Sequence, residues 1–109
     1  MKFAKWFTVF ARNVTGKKVK VFIAPQVMYG MTMNDEDSDN VVIIIGENRD
    51  RAERIVILCH EILHVLGAVS HENFDMSMRS LMKIAANFFG VSEDELIERY
   101  LKMEREVGR

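Results

Sequence analysis

The chain has 109 residues, 49% of them hydrophobic and 28% charged, a balance that suits one soluble domain spanning residues 1–109. Its formal net charge of −1 gives no electrostatic reason to expect a nucleic acid or an anionic membrane as a partner. The single cysteine, Cys59, excludes an internal disulfide. No apolar segment reaches the ~18 residues of a membrane span, and the N-terminus lacks a secretory signal, so we expect a cytoplasmic protein.

The first predicted elements are a helix and three strands. An apolar repeat at helical spacing predicts an amphipathic helix that stops near Gly16. The alternating residues 17–24 predict a strand, and residues 26–33 predict a weaker one. The apolar run 41–45 predicts a third strand, covered on both faces, after a polar turn at 34–40.

Three further helices are predicted after the sheet. Asp50 and Glu53 form a capping pair at the start of the first, and Ser92 with Glu95 forms one at the start of the last. The predicted spans are 50–67, 70–90 with Ser70 as cap, and Ser92 onward. We therefore predict an α+β fold in which a small three-stranded sheet carries a backing helix and three more helices.

The first helix after the sheet contains the pattern His60-Glu61-x-x-His64. The surrounding segment 55–69 is otherwise apolar or glycine, so this helix should be buried, and its three polar side chains need partners. His60 and His64 are one turn apart, which is the geometry that brings two nitrogens to one zinc ion. Glu61 flanks that position and suits a general base. The alternative is two core histidines bonded to backbone carbonyls.

A catalytic zinc site needs a third protein ligand, and His71 is the only other histidine. The turn after Gly67 can fold His71 back over the first two histidines, and Glu72 is the rival ligand. Asp75, four residues further on, would accept the free N–H of a ligating His71. The alternative for Asp75 is an exposed acid that the helix dipole favours.

The metzincin signature HExxHxxGxxH matches this sequence only in part. His60, Glu61, His64 and Gly67 are in register, but Ser70 stands at the third-ligand position. The segment from His71 to Asp75 is instead similar to the ExxxD motif of the gluzincins, with a histidine in place of the glutamate.

With its short length, the chain resembles the minigluzincins, the group of abylysin, jannalysin and selecase. The resemblance implies a zinc metallopeptidase that hydrolyses a peptide or protein substrate, with an active-site helix followed by a ligand helix. It also implies latency, because C-terminal segments block the cleft in that family. Here that segment is 92–109, whose apolar stripe could pack on the core, on the cleft or on a second copy.

For such a peptidase, the sequence predicts that the substrate lies along the exposed strand edge near residues 26–33. Three residues are candidates to stabilise the oxyanion, and the sequence does not choose among them: Tyr29, Arg79 and Tyr100.

Two other functions remain open at the level of sequence. One is a structural, non-enzymatic zinc site with Cys59 as a fourth ligand. The other is a YbeY-type zinc endoribonuclease, although that family usually has glycine where Glu61 stands, and RNA-binding proteins are commonly basic.

Overall fold

The chain folds into four strands and four helices, counted over residues 1–35, 37–67 and 71–107, which this computed structural model describes. The backbone of residues 71 and 72 belongs to this part, whereas their side chains do not. In chain order the elements are β1 (Lys2–Phe3), α1 (Lys5–Thr15), β2 (Lys18–Ala24), β3 (Gly30–Asn34), β4 (Asn40–Gly46), α2 (Arg51–Val65), α3 (His71–Phe89) and α4 (Glu93–Glu106). The predicted α+β class is confirmed.

The sheet has the strand order β1-β2-β4-β3. Strands β2 and β4 are parallel, whereas β1 and β3 pair antiparallel with β2 and β4 respectively. The sequence predicted three strands and missed β1, because Phe3 also fits the helical repeat that follows it. The strand predicted at 26–33 is observed only from Gly30 onward.

The strand register divides the sheet into two faces. One face packs against α1 and α2, and its central residues are at most 3% exposed, namely Val19, Val21, Val41, Ile43 and Ile45. On the other face Val42 is half-buried, and Ile44 is buried between its register neighbours Phe22 and Met31. Residues 41–45 were predicted to be covered on both faces. Helices cover one face only, and on the other face the cover comes from side chains of the neighbouring strands. An apolar run does not distinguish these two kinds of cover.

Helix α1 closes the outer edge of β2 with its own polar side chains. The Thr8 hydroxyl accepts the backbone N–H of Val21 at 2.9 Å, and Arg12 Nε donates to the Val19 carbonyl at 2.8 Å. These bonds satisfy backbone groups that an open strand edge would leave unpaired. The helix ends as predicted at Gly16, whose φ of 69° is in the left-handed region that glycine adopts readily.

Helix α2 is buried along most of its surface, as its apolar sequence predicted, and His60 and His64 lie on its less buried side. Its capping box is confirmed, because the Asp50 side chain accepts the N–H of Glu53 at 2.8 Å and the Glu53 side chain accepts that of Asp50 at 3.1 Å. Several of its side chains have no exposed surface: Ile55, Leu58, Cys59 and Ile62. Such a helix holds its polar side chains in fixed positions, because packing leaves them few rotamers.

Helices α3 and α4 pack against α2 and complete the core. Three residues of α4 are at most 7% exposed, namely Leu96, Tyr100 and Met103. Three ion pairs also connect α4 to the start of α2: Arg99 with Asp50 at 3.0 Å, Lys102 with Glu53 at 3.5 Å and Glu106 with Arg49 at 3.4 Å. None of the helices in the described ranges is long and apolar enough to cross a bilayer.

Candidate metal centre

His60 and His64 converge on the side of α2 that faces α3. Their Nε2 atoms are 2.9 Å apart, with His60 half-buried and His64 exposed. The ring of Phe74 on α3 packs against both imidazoles, at centroid distances of 5.1 Å from His60 and 6.2 Å from His64. Two ring nitrogens that point to one position form the arrangement that a single metal ion requires.

Glu61 is the buried acid of the site, with 7% of its surface exposed. Its Oε1 accepts a hydrogen bond from the Thr32 hydroxyl of β3 at 3.1 Å. Burial raises the pKa of Glu61 above its ordinary value, while the Thr32 hydrogen bond and the nearby His64 act in the opposite direction. A buried carboxyl group held by a hydrogen bond beside two imidazoles is suited to accept and return a proton.

The donor set fits zinc. Ligand atoms of His60, Glu61 and His64 all lie within 4.8 Å of one another. Tetrahedral zinc with bonds of ~2.0–2.1 Å separates two ligand nitrogens by ~3.3 Å. The observed 2.9 Å between the two Nε2 atoms is a hydrogen-bonding distance, so zinc binding requires the two nitrogens to move apart by ~0.4 Å.

The sequence also predicted a third ligand, His71. His71 is the first residue of α3, but its side chain lies outside the described residues, as do the side chain of Glu72 and the whole of Ser70. Two assignments therefore stay predictions: His71 as a ligand and Ser70 as the helix cap.

Asp75 has two partners within the described part of the chain. Its Oδ1 accepts a hydrogen bond from the Tyr100 hydroxyl at 3.1 Å, and its Oδ2 accepts one from Arg79 Nε at 3.0 Å. Each carboxylate oxygen has two lone pairs, so a further bond from His71 is compatible with both contacts. The predicted role of Asp75 in orienting His71 stays a prediction.

A cavity of about 330 Å³ opens beside Glu61. Its walls come from the end of the β2–β3 connection, from α2 and α3, and from α4, which contributes Tyr100, Met103, Glu104 and Val107. Its accessible lining is more apolar than polar. A concave, mostly apolar space next to convergent polar groups is the usual form of a small-molecule or peptide site.

Gly30 brings β3 into contact with α2 at this cavity. A Cβ atom at position 30 would lie 2.5 Å from Ile57 Cγ2 and 3.3 Å from Glu61 Cγ. Because only glycine fits there without displacing its neighbours, the edge strand passes directly beside the acid of the site.

The structure separates the three oxyanion candidates by position. Tyr29 and Tyr100 line the cavity with His60 and Glu61, whereas Arg79 is paired with Asp75 and is not among the lining residues. Burial, with the hydrogen bond to the nearby acid, raises the pKa of Tyr100 to about 12, so its phenol stays protonated at neutral pH.

Cys59 lies in the core and not in the metal cluster. It is 0% exposed, and burial raises the pKa of its thiol to about 12, which opposes the thiolate form that binds zinc. Among the described residues, the cluster able to hold a metal contains His60, Glu61 and His64 without this cysteine.

Two contacts of the site were not predicted from the sequence. Thr32 reaches Glu61 from the neighbouring strand, and Phe74 packs on the imidazoles. The alternation of β3 could have placed Thr32 on the face that packs against α2, given the correct start at Gly30. Phe74 is at helical spacing from Met78 and Leu81, which is typical of an apolar helix face, but nothing in the pattern indicated that it contacts histidines.

Comparison with known proteins adds no relative: no family model matches the chain, and no curated protein or solved structure shows significant similarity to it. The function therefore has to be argued from the chain's own residues.

Proposed function

We propose that the protein is a zinc-dependent metallopeptidase, an endopeptidase whose metal is held by His60, His64 and His71. The observation that carries the proposal is the buried Glu61 between two convergent imidazoles and a 330 Å³ cavity. Core histidines that serve only packing would not need a carboxylate and an open cavity beside them.

Each polar residue then has a defined part in the reaction. When bound, zinc supplies a Lewis acid that polarises the scissile carbonyl and makes water nucleophilic at neutral pH. Glu61 takes a proton from the attacking water and passes it to the leaving amine. Thr32 holds the Glu61 carboxylate in place through its hydroxyl. Tyr29, which lines the cavity, would donate to the developing oxyanion, whereas Tyr100 would do so only by giving up its hydrogen bond to Asp75.

The substrate would bind as an added strand along β3. This strand is at the end of the sheet order and pairs only with β4 among the described strands, so its other edge can accept an extended peptide. Thr32 of β3 donates a hydrogen bond to Glu61, and Gly30 lies against Ile57 and Glu61 of α2. A peptide on this edge therefore passes next to the catalytic acid.

A comparison of Glu61→Gln with the wild-type chain tests the activity. We expect the variant to bind zinc as the wild type does, while cleavage of a flexible protein such as casein falls by about 10²–10⁴-fold, the usual contribution of a general base. Glu98→Gln is the control, since it makes the same change at a side chain of α4 that is 74% exposed. Equal cleavage by the wild type and Glu61→Gln would show that the site is not a hydrolase of this kind.

We further propose that the full-length chain is restrained by its C-terminal segment, residues 92–109. Tyr100, Met103, Glu104 and Val107 line the cavity, and the first two of these, with Leu96, also belong to the core. Deleting the whole of α4 would therefore expose the core, and a stop after Met103 is the sharper test. Faster cleavage by the shortened chain, at unchanged zinc content, is expected. A cleavage rate equal to that of the full-length chain would contradict latency.

A further inference from the structure

We propose that the face of the sheet turned away from α1 and α2 is a docking surface for an anionic lipid bilayer. We call it the open face. It consists of two cross-strand rows, Phe3–Phe22–Ile44–Met31 and Lys20–Val42–Met33, and its border at β1 and the first turn of α1 carries the exposed residues Met1, Lys5 and Trp6.

The charges of the chain are separated along its sequence. Residues 1–34 contain six of the 15 cationic side chains and none of the 16 acids, so the remainder carries nine cations against 16 acids. The net charge of −1 averages over these two unlike parts. All strands of the open face except β4, and the helix at its border, come from the basic part. The proposal therefore departs from the expectation drawn from the overall charge.

Large apolar side chains on the open face are exposed. Phe3 is 53%, Met31 44% and Met33 47% exposed, and strand pairing places Phe3 and Met31 in the same row across four strands. Several large apolar side chains exposed on one face of a sheet indicate a partner.

The N-terminal border has the composition of a bilayer interface. Trp6 is 61% and Met1 76% exposed, and the Lys5 ammonium lies 5.2 Å from the Trp6 ring centroid. No ion pair to Lys2, Lys5 or Lys20 occurs within the described residues. Tryptophan prefers the headgroup region, and lysine stems can lie along apolar surface while their charges reach lipid phosphates.

The chemistry of the open face favours lipid over other occupants. A second copy docked face to face about a twofold axis would bring lysines against lysines. A single-stranded nucleic acid would need several flat aromatic platforms, whereas Phe3 and Phe22 pack edge to face on each other and the other large exposed apolar residues of the two rows are methionines. The exposed acids at the β3–β4 turn, Asp35, Asp37 and Asp39, limit the surface at its far end, so the N-terminal border should lie deepest.

The geometry leaves the candidate metal centre accessible. Gly30 and Thr32 point from β3 toward α2 and Glu61, whereas Met31 and Met33 point to the opposite side. Docking on the open face therefore holds the chain at a bilayer with its cavity directed elsewhere. This inference does not depend on the proposed peptidase activity.

Vesicle binding by the full-length protein tests the proposal. The vesicles contain phosphatidylcholine alone or with about one third phosphatidylserine, at low ionic strength. Trp6 is the only tryptophan, so its emission reports directly on this border. We expect co-sedimentation and a blue shift of Trp6 emission with the anionic vesicles only.

Charge and apolar variants give matched controls. Lys5→Gln with Lys20→Gln should lower the partition coefficient by about five-fold per lysine, whereas Lys83→Gln with Arg105→Gln, the same charge change on α3 and α4, should leave it nearly unchanged. Met31→Gln should also weaken binding, and Met76→Gln, 70% exposed on α3, should not. Absence of binding to anionic vesicles, equal effects of both charge pairs, tighter binding to single-stranded nucleic acid, or self-association that buries Trp6 without lipid would each overturn the proposal.

Discussion

Replacing Gly30 with alanine adds one methyl group where β3 meets α2. The new Cβ would lie 2.5 Å from Ile57 Cγ2, and it would also approach Glu61 Cγ and the Ile44 carbonyl oxygen at 3.3 Å. Ile57 is 5% exposed and β-branched, so its Cγ2 has no free rotamer to adopt. The edge strand must therefore shift away from the helix, which lengthens the Thr32–Glu61 hydrogen bond.

The cost follows from two opposing effects. Overpacking a core contact destabilises by about 1–3 kcal/mol, whereas the loss of glycine entropy in the unfolded chain returns about 0.4–1 kcal/mol. We expect a net loss of about 1–2 kcal/mol in the free energy of unfolding, measured by urea denaturation with far-UV circular dichroism. In a domain of this size the melting temperature should fall by roughly 4 °C or more for each kcal/mol.

Two further variants show whether the contact with Ile57 is the cause. In an Ile57→Ala background the same glycine substitution should cost little, because the clashing methyl is gone. Gly90→Ala adds a methyl with nothing within 4 Å but at a φ of 67°, so it should cost about 1 kcal/mol in either background. If Gly30→Ala changes the free energy of unfolding by less than ~0.5 kcal/mol in both the wild-type and the Ile57→Ala backgrounds, the close approach of β3 to α2 is refuted.

Three further outcomes are expected. Tyr100→Phe removes one donor from Asp75 and should destabilise by about 0.5–1.5 kcal/mol in urea unfolding, with no loss if that hydrogen bond is absent. Burial acts to raise the pKa of Asp50, but the Glu53 N–H and Arg99 lower it below its ordinary 3.8. The charge of Asp50 therefore contributes its full stabilisation above pH 3.8, and less as the pH falls through the lower pKa of the folded state. The free energy of unfolding of the wild type should thus exceed that of Asp50→Asn by less in acid than at pH 7. A constant difference from pH 7 to pH 3 would contradict this. The Cys59 thiol, 0% exposed, should react with a thiol reagent only as fast as the chain unfolds.

The helices and their ends were largely predictable, because their signals are local. Gly16 ends α1, and the capping box of Asp50 and Glu53 starts α2, each within one turn of the residues that specify it. The short β1 was not predictable in this way, because two residues give no alternation and the pairing of Phe3 with Phe22 is a contact between distant parts of the chain.

The site was predictable where its residues share one helix. His60, Glu61 and His64 follow from a spacing within α2, and the structure brings all three together. Contacts that depend on packing between elements, such as Thr32 with Glu61, required the tertiary structure. The same holds for the open face, since the net charge of a sequence does not reveal how its lysines and apolar residues are arranged in space.

The central claim is that this chain binds zinc through α2 and the start of α3, and the zinc content of the purified protein tests it most directly. The wild-type chain, prepared in chelator-free buffer at neutral pH, should contain about one zinc ion per molecule. His64→Ala and His71→Ala should each lose most of it, while the folded circular dichroism spectrum is retained. A folded wild-type protein that contains no zinc and takes up none on addition would contradict the account.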